Sequence, residues 1–463
     1  MKCLITNVTK GPESVKKKQQ VFSKHMTGKK TQEHLEQFNN LLAEMMSATG
    51  AKKGSLDQIR VLEISYANFP GLVCGAMLGE MGATVIKIEP PEGDAAREAT
   101  YYGRYINGVG LPFVIESRNK LSVTIDFNDE EGIANIKKLA EKADILIDAM
   151  KPGHLDELGI GYRQLSPSNK GLIYVSVSPY GHYTKKGEEF RNIPDTDLTA
   201  QSESGYPALS GNPKAPEPYN VPVKAGIWAA TYMSAAVGVA GILTALIHRD
   251  RTGEGQMVDL ATYDALCSWP GFSLVWGFTT ERPRTRVGNY DWCLFPYGYY
   301  KAKDGYVTVS AATDADFRSL IKILGRWDLE DDWRFLFDRI ADDPEKLDEL
   351  EAEMKKEIAT HTQEELTQKT LAYGAKAARD PLRSKGFPMV VKTLKPEEVM
   401  KEQHWKIRKS FLECEIPDDG TVIIPALPPR MSETPAKMEW LKVKKGEDNE
   451  KVAEEYGLKL KKK

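Results

Sequence analysis

The stretch IRVLEISYANFPGLVCGAMLGEMGATVIKIE, residues 59–89, decides the class of fold. IRVLEIS is a short apolar run typical of a buried strand, and ATVIKIE is a second run of the same kind. Between them, GLVCGAMLGEMG has the composition of a buried helix and ends on Gly82. A strand, a helix and a second strand in succession predict a parallel pair of strands with the helix packed on one face.

The same alternation continues downstream of residue 89. SVTIDF indicates a strand, EEGIANIKKLAEKA a helix, and DILIDAM and GLIYVSVSPYG two further strands. The pattern predicts an α/β fold with a large, Rossmann-like parallel sheet. The turn after IRVLEIS reads YANFPGLVCG rather than G-x-G-x-x-G, which argues against a nicotinamide-dinucleotide enzyme. The chain also contains no G-x-x-x-x-G-K-[ST], H-E-x-x-H or G-x-S-x-G motif.

The length of 463 residues predicts more than one folding unit. YGYYKAKDGYVTVSAA has the pattern of a hairpin with Asp304 and Gly305 at its turn, and amphipathic helices follow it. The expected organisation is a helical N-terminal extension, a large α/β domain, a small α+β domain and a C-terminal segment that returns to the large domain. These parts are expected at residues 1–55, 56–250, 251–375 and 376–463.

Composition excludes several classes of function. The 66 acidic and 63 basic residues give a formal net charge of −3, which argues against a nucleic-acid-binding protein. The five cysteines are scattered without a C-x-x-C pair, which predicts reduced thiols in the cytoplasm and no metal site. Residues 225–247 are uncharged and long enough to cross a bilayer, but they are rich in Ala, Gly, Ser and Thr. We therefore expect a buried central helix and no membrane association.

A polar helix start lies at RNIPDTDLTAQSESGYPALSG, residues 191–211. Asp195 and Asp197 follow Pro194, and Gln201 lies four residues beyond Asp197. Most acids in such positions only accept hydrogen bonds from the first turn of the helix. If the segment is helical, Asp197 and Gln201 share one face.

Several phrases, taken in order, resemble the class III CoA-transferases, the family of formyl-CoA transferase and carnitine CoA-transferase. The phrases are MLGEMGATVIKIEPPEGD, SRNKLSVTIDF, MKPGHLDELGIGYRQLSPSNKGLIYVSVSPYG and DRTGEGQMVDLATYDA, and the resemblance extends over residues 57–440. The N-terminal strand, the turn after it and the long extension look closer to benzylsuccinate CoA-transferases. The resemblance implies a homodimer of two interlocked rings.

The resemblance also identifies a nucleophile. The family pattern G-[FY]-D-x-x-x-Q-x-x-S-G matches DTDLTAQSESG, so that Asp197 corresponds to the nucleophilic aspartate and Gln201 to the glutamine that holds it or donates to an oxyanion. Asp195 occupies a position where the family has glycine, and we interpret it as a helix cap. The implied reaction moves CoA from an acyl-CoA to a carboxylic acid through an aspartyl anhydride and an aspartyl-CoA thioester. No cofactor beyond CoA and acyl-CoA, its substrates, is implied.

The resemblance places CoA in the large domain at the ends of the strands. Lys120 is expected against the CoA phosphates, with Arg118 as a second cation. Lys151 replaces the family's arginine, and Met150 replaces a phenylalanine, so both are expected at the cofactor with altered contacts. The glycine-rich loop of formyl-CoA transferases has no counterpart near VGNYDWCLFP, which argues against formate or oxalate as the substrate.

Two other functions remain open from the sequence. An α-methylacyl-CoA racemase of the same superfamily uses an aspartate opposite a histidine, and His154 and His182 lie close enough in sequence to keep that possibility. Racemases commonly have G-H-D-x-x-Y where this chain has Thr196 before Asp197 and Gln201 after it, which favours the transferase. The second alternative is an acyl-CoA-binding protein without activity.

Overall fold

A computed structural model gives the structure, and two compact units make up the chain. The larger unit comprises Glu44–Ser210, Pro222–Thr285 and Met400–Lys463, and the smaller one comprises Met1–Ala43, Gly211–Val221 and Arg286–Val399. The structure describes Gln37, Asn40, Leu41 and residues 53–100, 103–193, 197–268, 271–281, 284–289, 291, 294–330, 344–379, 386, 388–416, 419–427 and 429–460. Most of the predicted N-terminal extension, and Asp195, lie outside the described residues.

Strands and helices alternate along most of the described chain. The strands are β1 Arg60–Ser65, β2 Thr84–Glu89, β3 Tyr105–Ile106, β4 Val109–Gly110, β5 Lys120–Thr124, β6 Ile145–Ala149, β7 Ile173–Ser178, β8 Met257–Ala261, β9 Tyr297–Lys301, β10 Tyr306–Ser310, β11 Met389–Lys392, β12 Phe411–Ile416 and β13 Gly420–Pro425. The helices are α1 Phe69–Glu80, α2 Leu111–Glu116, α3 Glu130–Lys142, α4 His154–Glu157, α5 Tyr162–Leu165, α6 Lys185–Glu189, α7 Asp197–Glu203, α8 Ala229–Thr252, α9 Thr262–Cys267, α10 Gly271–Thr280, α11 Asp314–Leu324, α12 Pro344–Ile358, α13 Gln363–Arg379, α14 Pro396–Val399, α15 Gln403–Ile407 and α16 Asn449–Tyr456.

The core of the larger unit is a six-stranded sheet with the order β5-β2-β1-β6-β7-β8. Every pair in it is parallel, as the alternation of strands and helices predicts. Helix α1 crosses from β1 to β2, and α3 connects β5 to β6. The direction of strand order reverses between β1 and β6. Loops that leave the carboxyl ends of neighbouring strands diverge at such a point and form a crevice for ligands.

Helix α8 packs closely because its sequence is rich in small residues. A Cβ on Gly238 would lie 2.8 Å from a methyl carbon of Leu260 in β8 and 3.1 Å from the sulfur of Cys74 in α1. The prediction of a helix buried on all sides is corrected, because Val237 and Ile247 are exposed. Within the described part of the chain, α8 is the one helix long and apolar enough to span a bilayer, and half of its apolar stretch is buried in protein.

The smaller unit contains a three-stranded antiparallel sheet with the order β11-β10-β9. The predicted hairpin is confirmed, since Lys301 pairs with Tyr306 across the turn that contains Asp304 and Gly305. The unit begins later than residue 251, because β8 hydrogen-bonds to β7 and so belongs to the large sheet. It also extends beyond residue 375, because β11 pairs with β10.

The C-terminal segment from Met400 onward lies in the larger unit. Asp448 accepts a hydrogen bond from the backbone of Ser122 in β5 at 2.9 Å, and the backbone N–H of Lys437 donates to the carbonyl of Glu80 at 2.8 Å. The predicted return is therefore present, but it starts after β11 rather than at residue 376.

Candidate active site

A cleft of about 580 Å³ opens at the carboxyl ends of the parallel strands. Turns that follow five strands line it, from β1 through Ala67, β2 through Pro90, β5 through Phe127, β6 through Met150 and β7 through Tyr180. The volume lies within the usual range for small-molecule and cofactor sites. We call this space the strand-end cleft.

Basic side chains lie on one side of the strand-end cleft. Lys151 is exposed there, and its ammonium lies 3.3 Å from the amide oxygen of Asn192. Arg191 and His154 also line the cleft, and Arg191 donates to Glu157 at 2.8 Å. Burial lowers the pKa of His154. These groups could hold an anionic ligand, and the predicted cofactor contacts Met150 and Lys151 both lie at this surface.

A buried carboxyl group supports the turn that carries Lys151. Asp148, at the end of β6, accepts the hydroxyl hydrogen bond of Tyr174 at 2.7 Å and the backbone N–H of Met150 at 3.2 Å. Burial raises the pKa of Asp148 to about 6, although both hydrogen bonds favour its ionised form. Asp148 therefore fixes the backbone beneath the cleft rather than facing a ligand.

A second pocket of about 380 Å³ contains Asp197 and Gln201, and we call it the aspartate pocket. Asp197 is the first residue of α7, and Gln201 lies one turn later on the same face, as their spacing predicts. One carboxylate oxygen of Asp197 accepts the amide of Gln201, and the other accepts the backbone N–H of Thr231 at 2.9 Å.

Thr231 lies in the first turn of α8, whose N-cap residue, Trp228, does not cap the helix with its side chain. Asp197 is the first residue of α7, and its carboxylate also caps the N-terminus of α8. The carboxylate therefore lies at the N-terminal end of a 24-residue helix, which carries the positive end of the helix dipole. No local sequence pattern indicates this contact, because it joins residues 34 positions apart.

The orientation of Gln201 is fixed by a third backbone group. Its side-chain oxygen accepts the N–H of Ala225 at 2.8 Å, and this oxygen assignment leaves the amide N–H₂ facing Asp197. The side chain is 1 % exposed. Gln201 therefore holds the carboxylate in one position and links it to the loop before α8.

Ala67 and Asn68 line both the strand-end cleft and the aspartate pocket. Asn68 caps α1 by accepting the N–H of Gly71 at 3.0 Å, and its amide donates to the carbonyl of Val177 at the end of β7. The backbone N–H of Ala67 donates to the buried carboxylate of Asp94 at 2.7 Å. The two spaces are thus neighbours separated by a turn that the core holds in place.

Arg118 and Lys120 are not at either space, which corrects the prediction that they contact CoA phosphates. Lys120 is 3 % exposed, and its ammonium lies 2.8 Å from Glu63 and donates to the carbonyl of Leu72 at 2.7 Å. Arg118 pairs with Glu80 at 2.9 Å and with Glu116 at 2.7 Å. Their hydrogen bonds are taken up by buried groups, because both side chains point into the packed interior.

Sequence reasoning missed several groups at the two spaces. Asn68 and Arg191 could have been suspected, since one follows β1 directly and the other precedes the nucleophile motif. Lys224, which lines the aspartate pocket, lies in a loop with no periodicity. Among the described residues, no three His, Cys, Asp or Glu side chains are grouped closely enough to hold a metal ion.

Comparison with known proteins agrees with this architecture. The family model described as CoA-transferase family III matches residues 56–449. A succinyl-CoA–D-citramalate CoA-transferase of Chloroflexus aurantiacus is 30 % identical over 401 residues, which cover 86 % of this chain and 92 % of that enzyme. A succinyl-CoA:mesaconate CoA-transferase of Haloarcula hispanica is 33 % identical over 298 residues, which cover 62 % of this chain and 72 % of that enzyme.

Solved structures give the same result. The crystal structure of a CAIB/BAIF family protein from Brucella suis superposes with a TM-score of 0.70 at 27 % identity, over 88 % of this chain and all of that one. The parallel sheet, the ordered motifs and the match over most of the chain lead to one assignment. The chain belongs to CoA-transferase family III.

Proposed function

We propose that this protein is a CoA-transferase that uses Asp197 as its nucleophile. The observation that carries the proposal is the geometry of Asp197, whose carboxylate is held by Gln201 and by the first turn of α8 in a pocket next to the strand-end cleft. The named relatives, which transfer CoA between acids, support the reaction class.

The first half-reaction replaces the thioester of the donor. A carboxylate oxygen of Asp197 attacks the acyl carbonyl, the C–S bond breaks, and a mixed anhydride and CoA thiolate form. The thiolate then attacks the aspartyl carbonyl, so that the donor acid leaves with the bridging oxygen. The product is an aspartyl-CoA thioester.

The second half-reaction runs the same steps in reverse. The acceptor carboxylate attacks the aspartyl thioester, releases CoA thiolate and forms a new anhydride. The thiolate attacks the acyl carbonyl of the acceptor, and Asp197 is regenerated with one oxygen that came from the acceptor. Each step exchanges one activated carbonyl for another, so the substrates and Asp197 account for every atom.

Two hydrogen-bond donors contact the oxygens of Asp197, on which negative charge develops when the aspartyl carbonyl is attacked. The backbone N–H of Thr231 and the amide of Gln201 each hold one oxygen of Asp197. Whichever oxygen becomes the carbonyl oxygen keeps a hydrogen-bond donor during thiolate attack. A fixed donor of this kind typically contributes about 10²- to 10³-fold to a rate.

We place CoA in the strand-end cleft with its phosphates near Lys151 and Arg191. Both cations line the cleft, and the shared wall at Ala67 and Asn68 brings its inner end next to the aspartate pocket. Met150 lies in the same wall as Lys151 and would contact the ligand's apolar surface. CoA and acyl-CoA enter as substrates, and the proposal includes no other cofactor.

The proposal includes a cytoplasmic homodimer. The exposed side chains of Val237 and Ile247 on α8, and of Val275 and Phe278 on α10, leave apolar surface that a second copy would cover. Interlocked rings remain a prediction from the resemblance. Sedimentation at decreasing concentration should give a persistent dimer, and a folded, active monomer would contradict it.

The racemase alternative lacks support at the aspartate pocket. His182 is buried, and its ring nitrogens lie 2.9 Å from the hydroxyl of Ser176 and 3.0 Å from Asp156. His154 lines the strand-end cleft instead. No histidine belongs to the described residues that line the aspartate pocket, so a second acid–base group opposite Asp197 is not in place there.

The proposal is tested by tracing oxygen. Acceptor acid labelled with ¹⁸O in its carboxylate should transfer one labelled oxygen to Asp197 during turnover, visible as a mass increase of one peptide. The Asp197→Asn variant should form no product thioester and take up no label. Transfer of CoA without labelling of Asp197 would contradict the proposed mechanism.

A further inference from the structure

The aspartate pocket has three kinds of wall. Asp197 and Gln201 form its reactive end, apolar side chains form much of its surface, and a single lysine, Lys224, lies at its edge. The apolar surface comes from Phe69, Pro70, Leu198, Ile227 and Trp228. The rings of Phe69 and Trp228 meet edge to face with centroids 4.8 Å apart, which fixes this wall.

Lys224 is tied to the nucleophile through its neighbour in the chain. The backbone N–H of Ala225 donates to Gln201, and Gln201 donates to Asp197. The backbone immediately after Lys224 is therefore connected to the reactive carboxylate through the side chain of Gln201. The ammonium group makes a hydrogen bond of 3.3 Å to the carbonyl of Ala225 and forms no ion pair with the described acidic groups.

This arrangement determines what kind of acyl group the pocket can accept. The acyl carbonyl must lie at Asp197, so the remainder of the acyl chain extends along the apolar wall. An acid that ends in a methyl group would put apolar surface against the ammonium group of Lys224. An acid with a second carboxylate would place its charge there and gain a charge-assisted hydrogen bond.

We propose that Lys224 selects short dicarboxylic acids by pairing with the carboxylate that does not react. The inference rests on the proposed function, since it requires the other carboxyl group to react at Asp197. The distal carboxylate keeps its charge throughout and takes no part in bond making. Lys224 is thus a specificity-determining residue, distinct from Lys151, which lines the strand-end cleft.

The experiment compares succinyl-CoA with butyryl-CoA, which have four-carbon acyl groups that end in a carboxylate and a methyl group. The rate at which the aspartyl-CoA thioester forms and the donor acid is released is measured in single turnovers without acceptor. For the native protein, the second-order rate constant of this half-reaction should be at least about thirtyfold larger for succinyl-CoA than for butyryl-CoA. Lys224→Met should lower this ratio by at least about tenfold, mainly through weaker binding of succinyl-CoA, and Lys224→Arg should retain most of it.

A surface lysine provides the matched control. Lys185 is 91 % exposed in its side chain and lines neither space, so Lys185→Met should keep the native ratio. An equal loss for both thioesters in Lys224→Met would overturn the proposal, because it would indicate a role in binding CoA or in folding. Equal rates of the native protein with both thioesters would overturn it as well. A chain that releases the donor acid from neither thioester, in any variant, would contradict the proposed function itself.

Discussion

Lys120 and Lys224 are both lysines of the larger unit, yet the structure uses them in opposite ways. Lys120 begins β5, at one edge of the parallel sheet, is 3 % exposed and forms an ion pair with Glu63. Lys224 lies in a loop, is exposed, and keeps its ammonium at the edge of the aspartate pocket. A cation within a family motif can therefore serve the core, whereas a cation outside those motifs can line a pocket.

Removing Lys120 tests the structural side of this comparison and should have the largest effect on stability. Lys120→Met leaves Glu63 buried with Lys87 as its remaining cation, at 3.9 Å. Breaking a buried pair costs about 3 kcal/mol of unfolding free energy, at the lower end of the usual range because Lys87 remains. Urea unfolding should show a lower midpoint at an unchanged slope.

The double variant Glu63→Gln/Lys120→Met is the control, since it removes both charges. It should recover more than half of the lost stability. If Lys120→Met is as stable as the native protein but binds CoA at least tenfold more weakly, the structural role of Lys120 is contradicted. Lys120 would then contact the CoA phosphates, as expected from the sequence.

Asp148 is buried like Lys120, but it supports the turn that carries Lys151 at the strand-end cleft. Burial raises the pKa of Asp148 in the folded protein to about 6, above its ordinary value of 3.8. Between those values the unfolded chain loses a proton that the folded chain keeps, so the folded state loses stability as pH rises through this window. The cost reaches about 3 kcal/mol above pH 6.

Asp148→Asn removes this cost while keeping an acceptor for the N–H of Met150. The variant should match the native protein near pH 4 and become progressively more stable than it up to about pH 6. Thermal unfolding across that range measures the difference. A constant difference at every pH would mean that Asp148 does not titrate in this window.

Lys151 tests the ligand-facing side, with a smaller effect. Lys151→Met should weaken CoA binding about tenfold, or 1.4 kcal/mol, and change the unfolding free energy by less than about 0.5 kcal/mol. Isothermal titration with CoA measures the first and urea unfolding the second, with Lys185→Met as the surface control. Unchanged affinity for CoA would place the phosphates elsewhere in the strand-end cleft.

The parts of the structure that follow from local pattern were predictable. The alternation around β1, α1 and β2 determines the parallel sheet, and the spacing of Asp197 and Gln201 determines that they share a helix face. Turn chemistry likewise located the hairpin between β9 and β10.

The parts that depend on distant contacts were not predictable. Lys120 on β5 pairs with Glu63 on β1, two strands away in the sheet, and no pattern within either strand indicates which distant residue its charge will meet. The boundary at residue 251 failed because β8 pairs with β7 across more than seventy residues of chain. The contact between Asp197 and Thr231 joins residues 34 positions apart, so the cap on α8 could not be predicted from either segment.

The most direct test of the central claim is chemical capture at Asp197. Acyl-CoA without an acceptor is mixed with the protein, hydroxylamine is added, and peptides are analysed by mass spectrometry. We expect a hydroxamate on Asp197, unchanged in Asp195→Asn and absent in Asp197→Ala, which should also lose transfer. A hydroxamate on Asp195, or full turnover by Asp197→Ala, would contradict it.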